Sequence, residues 1–237
     1  EGTIFYGYAR EEEDHPLYQL WVVPFVMEPL DVGSGYVQTA AGRFHVCAIQ
    51  DEGALFCWGS NFYGQLGDGT TDPSDEPVEV MPGSAWTALA IGDTHTCAVR
   101  DDGTLWCWGS GTQGVLGTGS TDDTPSPAQV GTDEDWAAVT AGWSSTCALK
   151  VSGALFCWGD ELDIGNGGAG SLTPVAIGTG TYRKIHSTYS HTCGIQTDGT
   201  MWCWGFGLSG EVGDSDGSTP TRIGDDDDWE DVEFERI

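Results

Sequence analysis

Positive charge is scarce in this chain. Eight Lys and Arg stand against 37 Asp and Glu, giving a net charge of −29 over 237 residues. Such a surface repels nucleic-acid phosphates and anionic lipid, so neither is an expected partner. It suits solubility, cation binding or a salty milieu. Long apolar runs are also lacking. The most apolar stretch, residues 20–27, is broken by Pro24, which excludes a transmembrane helix. Asn61 and Asn166 both lack a hydroxyl residue two positions on, so N-glycosylation is not expected. Neither G-x-x-x-x-G-K-[ST] nor H-E-x-x-H occurs. Close C-x-x-C pairs, which four-ligand zinc sites usually carry, are missing too.

What is present is repetition. CAIQDEGALFCWG at residues 47–59 returns as CAVRDDGTLWCWG from Cys97, CALKVSGALFCWG from Cys147 and CGIQTDGTMWCWG from Cys193. Each copy is two short apolar runs around a Gly-containing turn, the pattern of a β-hairpin. With Cys47 facing Cys57, Ile49 faces Leu55 on the same side and Ala48 faces Phe56 on the other. One face pairs aliphatics, and the opposite face sets a small residue against an aromatic. Complementary pairs of this kind set register. Directly opposed cysteines have the separation a disulfide needs. The expected pairs are Cys47–Cys57, Cys97–Cys107, Cys147–Cys157 and Cys193–Cys203, with free thiols or metal ligands as the alternatives. Disulfides imply an oxidising compartment, so a leader is expected to have been removed before Glu1.

The first cysteines stand at 47, 97, 147 and 193, and an aromatic precedes each by eleven: Tyr36, Trp86, Trp136 and Tyr182. Gly-rich loops follow the hairpins at Gly64, Gly114, Ile164 and Gly210, then a proline-bearing stretch. The loops lack a Lys and a following helix, so they turn the chain rather than bind phosphate. Each repeat offers about four strands, the content of one propeller blade. The ends carry parts of a further repeat. Residues 1–6 align with 102–107, and Asp228-Trp229-Glu230-Asp231-Val232 resembles Asp135-Trp136-Ala137-Ala138-Val139. The expected domain is a single one: a degenerate back half at 1–35 with an apolar segment, four repeats at 36–228, and a front strand at 229–237. Open strand edges are association sites. Candidates for an assembly interface are Ile4, Phe5, Tyr6, Leu20, Trp21, Val22, Val23, Phe25, Trp229, Val232, Phe234 and Ile237.

The pattern H-x-C-A-[IV]-x-x-[DE]-G-x-L-x-C-W-G-S-x-x-x-G-x-L-G, clearest at residues 45–67 and 95–117, resembles the repeat of the regulator of chromosome condensation (RCC1) family. It is most similar to the secreted bacterial, paired-cysteine variety. The resemblance implies an all-β fold, a β-propeller of about five four-stranded blades with the fifth made from the two termini. Relatives that are binding scaffolds use loops on one face, and Phe62, Tyr63, Phe206 and Leu208 occupy comparable positions here.

No catalytic residues emerge. His45, His95 and His191 recur two before a cysteine, but Ser145 replaces them in the third copy, so they are expected to serve the repeat rather than a metal. Asp68, Asp72, Asp214 and Asp216 offer hard oxygen donors and are weak Ca²⁺ candidates; otherwise no cofactor is expected. The resulting expectation is a non-catalytic, secreted or cell-surface propeller that self-assembles head to tail into an oligomer or filament, or partners another extracellular protein. The alternatives are a monomer binding protein or glycan through its loops, and a hydrolase with an acidic channel.

Overall fold

The computed structural model describes residues 35–160, 164–206 and 217–232. The chain divides into two units, Glu1–Gly35 and Tyr36–Ile237, and the described strands all belong to the second. They are β1 (Tyr36–Ala41), β2 (His45–Gln50), β3 (Leu55–Gly59), β4 (Ser74–Glu79), β5 (Trp86–Ile91), β6 (His95–Arg100), β7 (Leu105–Gly109), β8 (Thr124–Gln129), β9 (Trp136–Ala141), β10 (Ser145–Lys150), β11 (Ala154–Gly159), β12 (Ser171–Ser187), β13 (His191–Gln196), β14 (Met201–Gly205) and β15 (Thr221–Arg222). β1–β4 and β5–β8 are four-stranded antiparallel meanders, and β9–β15 run as one seven-stranded sheet. In that sheet β12 serves two repeats, pairing β11 through Ser171 to Thr181 and β13 from Tyr182 onward. Among the described residues the sheets are all β-strand meanders of the repeat, and none closes on itself.

The hairpin register is the one the side-chain volumes imply. Cys47 faces Cys57, Ala48 faces Phe56 and Ile49 faces Leu55, and the same pairing recurs in the other three hairpins. All four cysteine pairs are bonded, with Cα atoms 4.1 Å apart. Every first strand also slips register just after its aromatic, between Tyr36 and Gln38 and between Trp86 and Ala88 for example. A bulge of this kind rotates the strand, which turns the aromatic inward while the extra residue stays outside.

The core lies between repeats. Cys47, Ile49, Leu55, Cys57 and Leu66 of the first pack against Trp86, Ala98 and Trp108 of the second. Equivalent layers seat Trp136 and Trp158, then Tyr182 and Trp204. The aliphatic face of one unit thus receives the small-and-aromatic face of the next. Gly67 shows why the loop needs glycine. Its φ is +75°, and a Cβ there would stand 2.6 Å from Nε1 of Trp108. At the far end the aliphatic face of the fourth repeat is covered by Val232, with Trp229 packed beside it. Arg183 donates to the carbonyls of Trp229 and Glu230, and Lys184 pairs with Asp231. Trp229 and Val232, candidates for an assembly interface, are therefore engaged within their own chain. The other ten candidates lie outside the described residues. No described helix is long and apolar enough to cross a membrane.

Candidate functional site

In a four-stranded meander the first-to-second and third-to-fourth loops emerge at the same end. Backbone bonds tie them together in each repeat: Ser60 N–H to Phe44 O, Ser110 to Thr94, Asp160 to Ser144 and Phe206 to Ser190. The hairpin turns and the links to the next repeat lie at the other end, where Trp86 N–H donates to Gly53 O. Six aromatic side chains are exposed among the described residues: Phe44, Phe62, Tyr63, Trp143, Tyr189 and Phe206. All six belong to the first set of loops.

The first-to-second loops of successive repeats touch. A Cβ on Gly42 would stand 2.7 Å from Gly92 O, one on Gly92 2.6 Å from Gly142 O, and one on Gly142 2.7 Å from Thr188 O. The residues next to these contacts are Arg43-Phe44, Asp93, Trp143 and Tyr189. Trp143 N–H donates to Tyr189 O at 3.0 Å. Their rings stack with centroids 5.2 Å apart and planes 11° from parallel. Arg43 lies over the Phe44 ring at 4.9 Å.

Few cations are left to meet the acidic surface. Arg100 pairs with Asp102 and sits over Trp106. Lys150 binds Asp133 at 2.5 Å and Asp135 at 2.6 Å, over the rings of Trp136 and Phe156. Burial works against the Lys150 ammonium, but the hydrogen bonds it donates to the two aspartates outweigh it and its pKa is raised. Arg222 donates to the carbonyls of Asp225 and Asp226.

Of the loop residues singled out in the sequence, Phe62, Tyr63 and Phe206 stand exposed on this face, and Leu208 lies outside the described residues. Phe44, Trp143 and Tyr189 were missed. Trp143 and Tyr189 fall four places before a repeat's first cysteine, where the copies differ among Arg43, Asp93, Trp143 and Tyr189, and Phe44 falls three before Cys47, where the other copies have Thr94, Ser144 and Ser190. That variability inside an otherwise regular repeat was the available signal. His45 and His95 are buried and bond the next repeat, through Thr96 Oγ1 and Thr146 Oγ1 respectively, both at 2.9 Å. Asp68 Oδ1 accepts from Asn61 Nδ2 and from the amide and hydroxyl of Thr70, and Asp72 offers its carbonyl to Asn61, a self-contained turn. Asp214 and Asp216 lie outside the described residues, among which no group of three or more His, Cys, Asp or Glu could hold a metal.

Residues 52–99 and 102–149 match the regulator of chromosome condensation (RCC1) repeat. Residues 36–65, 86–115 and 136–163 match a second form of that repeat. Together the matches run unbroken from 36 to 163, more than half of the chain. The human E3 ubiquitin-protein ligase HERC2 is 40% identical over 58 residues, 24% of this chain and 1% of that protein. Among solved structures, human WBSCR16 superposes with a TM-score of 0.75 at 23% identity, over 83% of this chain and 55% of that one. Prp20p of Saccharomyces cerevisiae, described by its binding to Gsp1p and histones, gives 0.66 at 23% identity, over 80% and 50%. The chain thus spans about half the length of the solved structures it matches, and they share its fold.

These comparisons correct one expectation. The chain was expected to be a bacterial, secreted or cell-surface subunit of a self-assembling filament, or the partner of another extracellular protein. The relatives named above are human and yeast proteins, and the yeast one is described by binding Gsp1p and histones. Paired cysteines carried the expected location, and the split repeat with the apolar segment before residue 35 carried the expected self-assembly, but cysteine pairing reports covalent chemistry, which several folds and locations share. Val232, one of the residues expected at an open edge, is buried against the fourth repeat of its own chain.

Proposed function

Because the chain belongs to the regulator of chromosome condensation (RCC1) repeat family, we propose that it is a docking protein that binds a basic protein partner through its aromatic loop face. The observation that carries this is the gathering, among the described residues, of all six exposed aromatics at one end of the sheets. Exposed aromatic clusters mark interaction surfaces, and aromatics dominate the energy of protein interfaces. The partner's sign follows from a net charge of −29, which steers cationic surfaces toward the chain. A relative described by binding histones, which are basic, fits the same reading.

Core histones are the probe, titrated calorimetrically at physiological salt. Replacing Phe62 and Tyr63 together by Ser weakens binding at least tenfold, whereas Val37→Ser with Val151→Ser, on the opposite end, leaves it unchanged. Equal losses in both variants, or no binding by the parent chain, would overturn the reading.

The same family fold supports a finer reading of architecture, a propeller of about five blades of which residues 36–228 supply four. Trp229 N–H donates to Gly199 O, as Trp86, Trp136 and Tyr182 do to Gly53, Gly103 and Gly153, which supports a further repeat opening at Trp229.

A further inference from the structure

We propose that the stacked Trp143–Tyr189 pair is the seat for an arginine side chain of the partner; the inference rests on the docking reading and assigns it a contact. The pair is built before any ligand arrives. Its rings lie 11° from parallel at 5.2 Å, and the Trp143 amide is held by the Tyr189 carbonyl. Trp143 remains 45% and Tyr189 57% exposed, so each ring has one face on its neighbour and the other toward solvent. A planar guanidinium stacks on such a face and is attracted by the ring quadrupole. Little side-chain entropy remains to be lost on binding, because the platform is already ordered.

Charge selects a cation over a neutral ligand. Gly92 contacts Gly142, so Asp93 and Trp143 follow directly on two touching loops, and the carboxylate belongs to the same rim. Arg43, the rim's own cation, is placed over Phe44. The chain also treats its own cations in this way. Arg43, Arg100 and Lys150 all lie over aromatic rings, and the last two are clamped by aspartates as well. Trp143 and Tyr189 repeat the aromatic half of that arrangement with no described cation upon them.

The test uses the whole chain and a short Gly/Arg peptide, with a citrulline version that keeps the planar shape and loses the charge. Calorimetry at physiological salt screens the general attraction of the acidic surface. The parent chain binds the arginine peptide, and citrulline, Trp143→Leu and Tyr189→Leu each weaken binding by roughly fivefold or more. Trp143→Phe, which keeps a stacking face, retains most of the affinity. Unchanged melting temperatures check that both exposed positions tolerate substitution. Equal affinity for the citrulline peptide, or parent-like binding by Trp143→Leu, overturns the seat. So does a Trp143-dependent response to a neutral oligosaccharide in place of the peptide. Loss of histone binding in the Phe62/Tyr63 variant with none in Trp143→Leu would sink the seat and leave the docking face. Arginine-peptide binding through Trp143 without histone binding would do the reverse.

Discussion

The indole N–H of Trp108 donates to the backbone carbonyl of Gln65 at 3.0 Å, forty-three residues earlier in the chain. Thr96 donates its hydroxyl to the same carbonyl at 2.9 Å. A hydroxyl has one hydrogen, so Thr96 Oγ1 accepts from Nε2–H of His45, which sets that tautomer. Two donors of the second repeat thus converge on one loop carbonyl of the first, and His45 joins them through Thr96. Trp158, Thr146 and His95 repeat the arrangement on Val115 O. This is the role of His45 and His95, and it joins units that share no strand.

Truncating Trp108 removes both packing and a hydrogen bond from the interface between the first two repeats. Trp108→Ala destabilises by about 3–5 kcal/mol. Trp108→Phe keeps most of the volume, leaves Gln65 O with Thr96, and costs less. Urea unfolding of non-reduced protein measures both; equal losses would mean that the hydrogen bond, not the packing, carries the interface.

Gly67 and Gly83 separate two costs of a side chain. Both have positive φ, +75° and +86°. A Cβ on Gly67 meets the Trp108 indole, while one on Gly83 meets nothing within 4 Å. Gly83→Ala costs about 1–2 kcal/mol for the backbone alone. Gly67→Ala costs clearly more, since the indole must give way. Similar melting temperatures for the two variants would contradict the packing of loop on indole.

The disulfides are testable by counting. Native protein has no titratable thiol, and full reduction in denaturant releases eight. In the loop-closure model each short cross-link contributes about 2–3 kcal/mol, so reduction lowers the urea midpoint steeply. A midpoint unchanged by reductant would mean that strand pairing alone holds the hairpins.

Two hairpin turns contribute acid sensitivity, beside the Lys184–Asp231 pair. The Thr104 hydroxyl, then its amide, hold the Asp102 carboxyl below the usual carboxylate range, and Thr200 does the same for Asp198. Each threonine hydroxyl also accepts from an indole, that of Trp106 or Trp202. A folded pKa below the unfolded one adds stability that is complete above the unfolded value of about 3.9 and is lost as pH falls through the folded value. Stability is therefore level from neutral pH to about 5 and falls below about 4. Asp102→Asn with Asp198→Asn makes that fall shallower; an identical acid limb would assign it elsewhere.

The hairpins were legible because their information is local. Cys47 and Cys57, Ala48 and Phe56, Ile49 and Leu55 lie within eleven residues, and strand alternation leaves one register that pairs all of them. The repeat itself, its aromatics and its glycines could be read by spacing. The continuity of β12 could not. A proline-bearing link was expected between the third and fourth repeats, yet the shorter period there lets both pairings meet within one strand.

Sequence by itself determined the repeat, the register and the cysteine partners, since each depends on neighbours along the chain and on alternation of side chains. Tertiary structure decided what the repeats do to one another. Gln65 meets Trp108, and Trp143 meets Tyr189, only after whole sheets pack face to face. Spacing along the chain does not encode the rotation between stacked units. That packing brings exposed aromatics from three separate repeats to a single end.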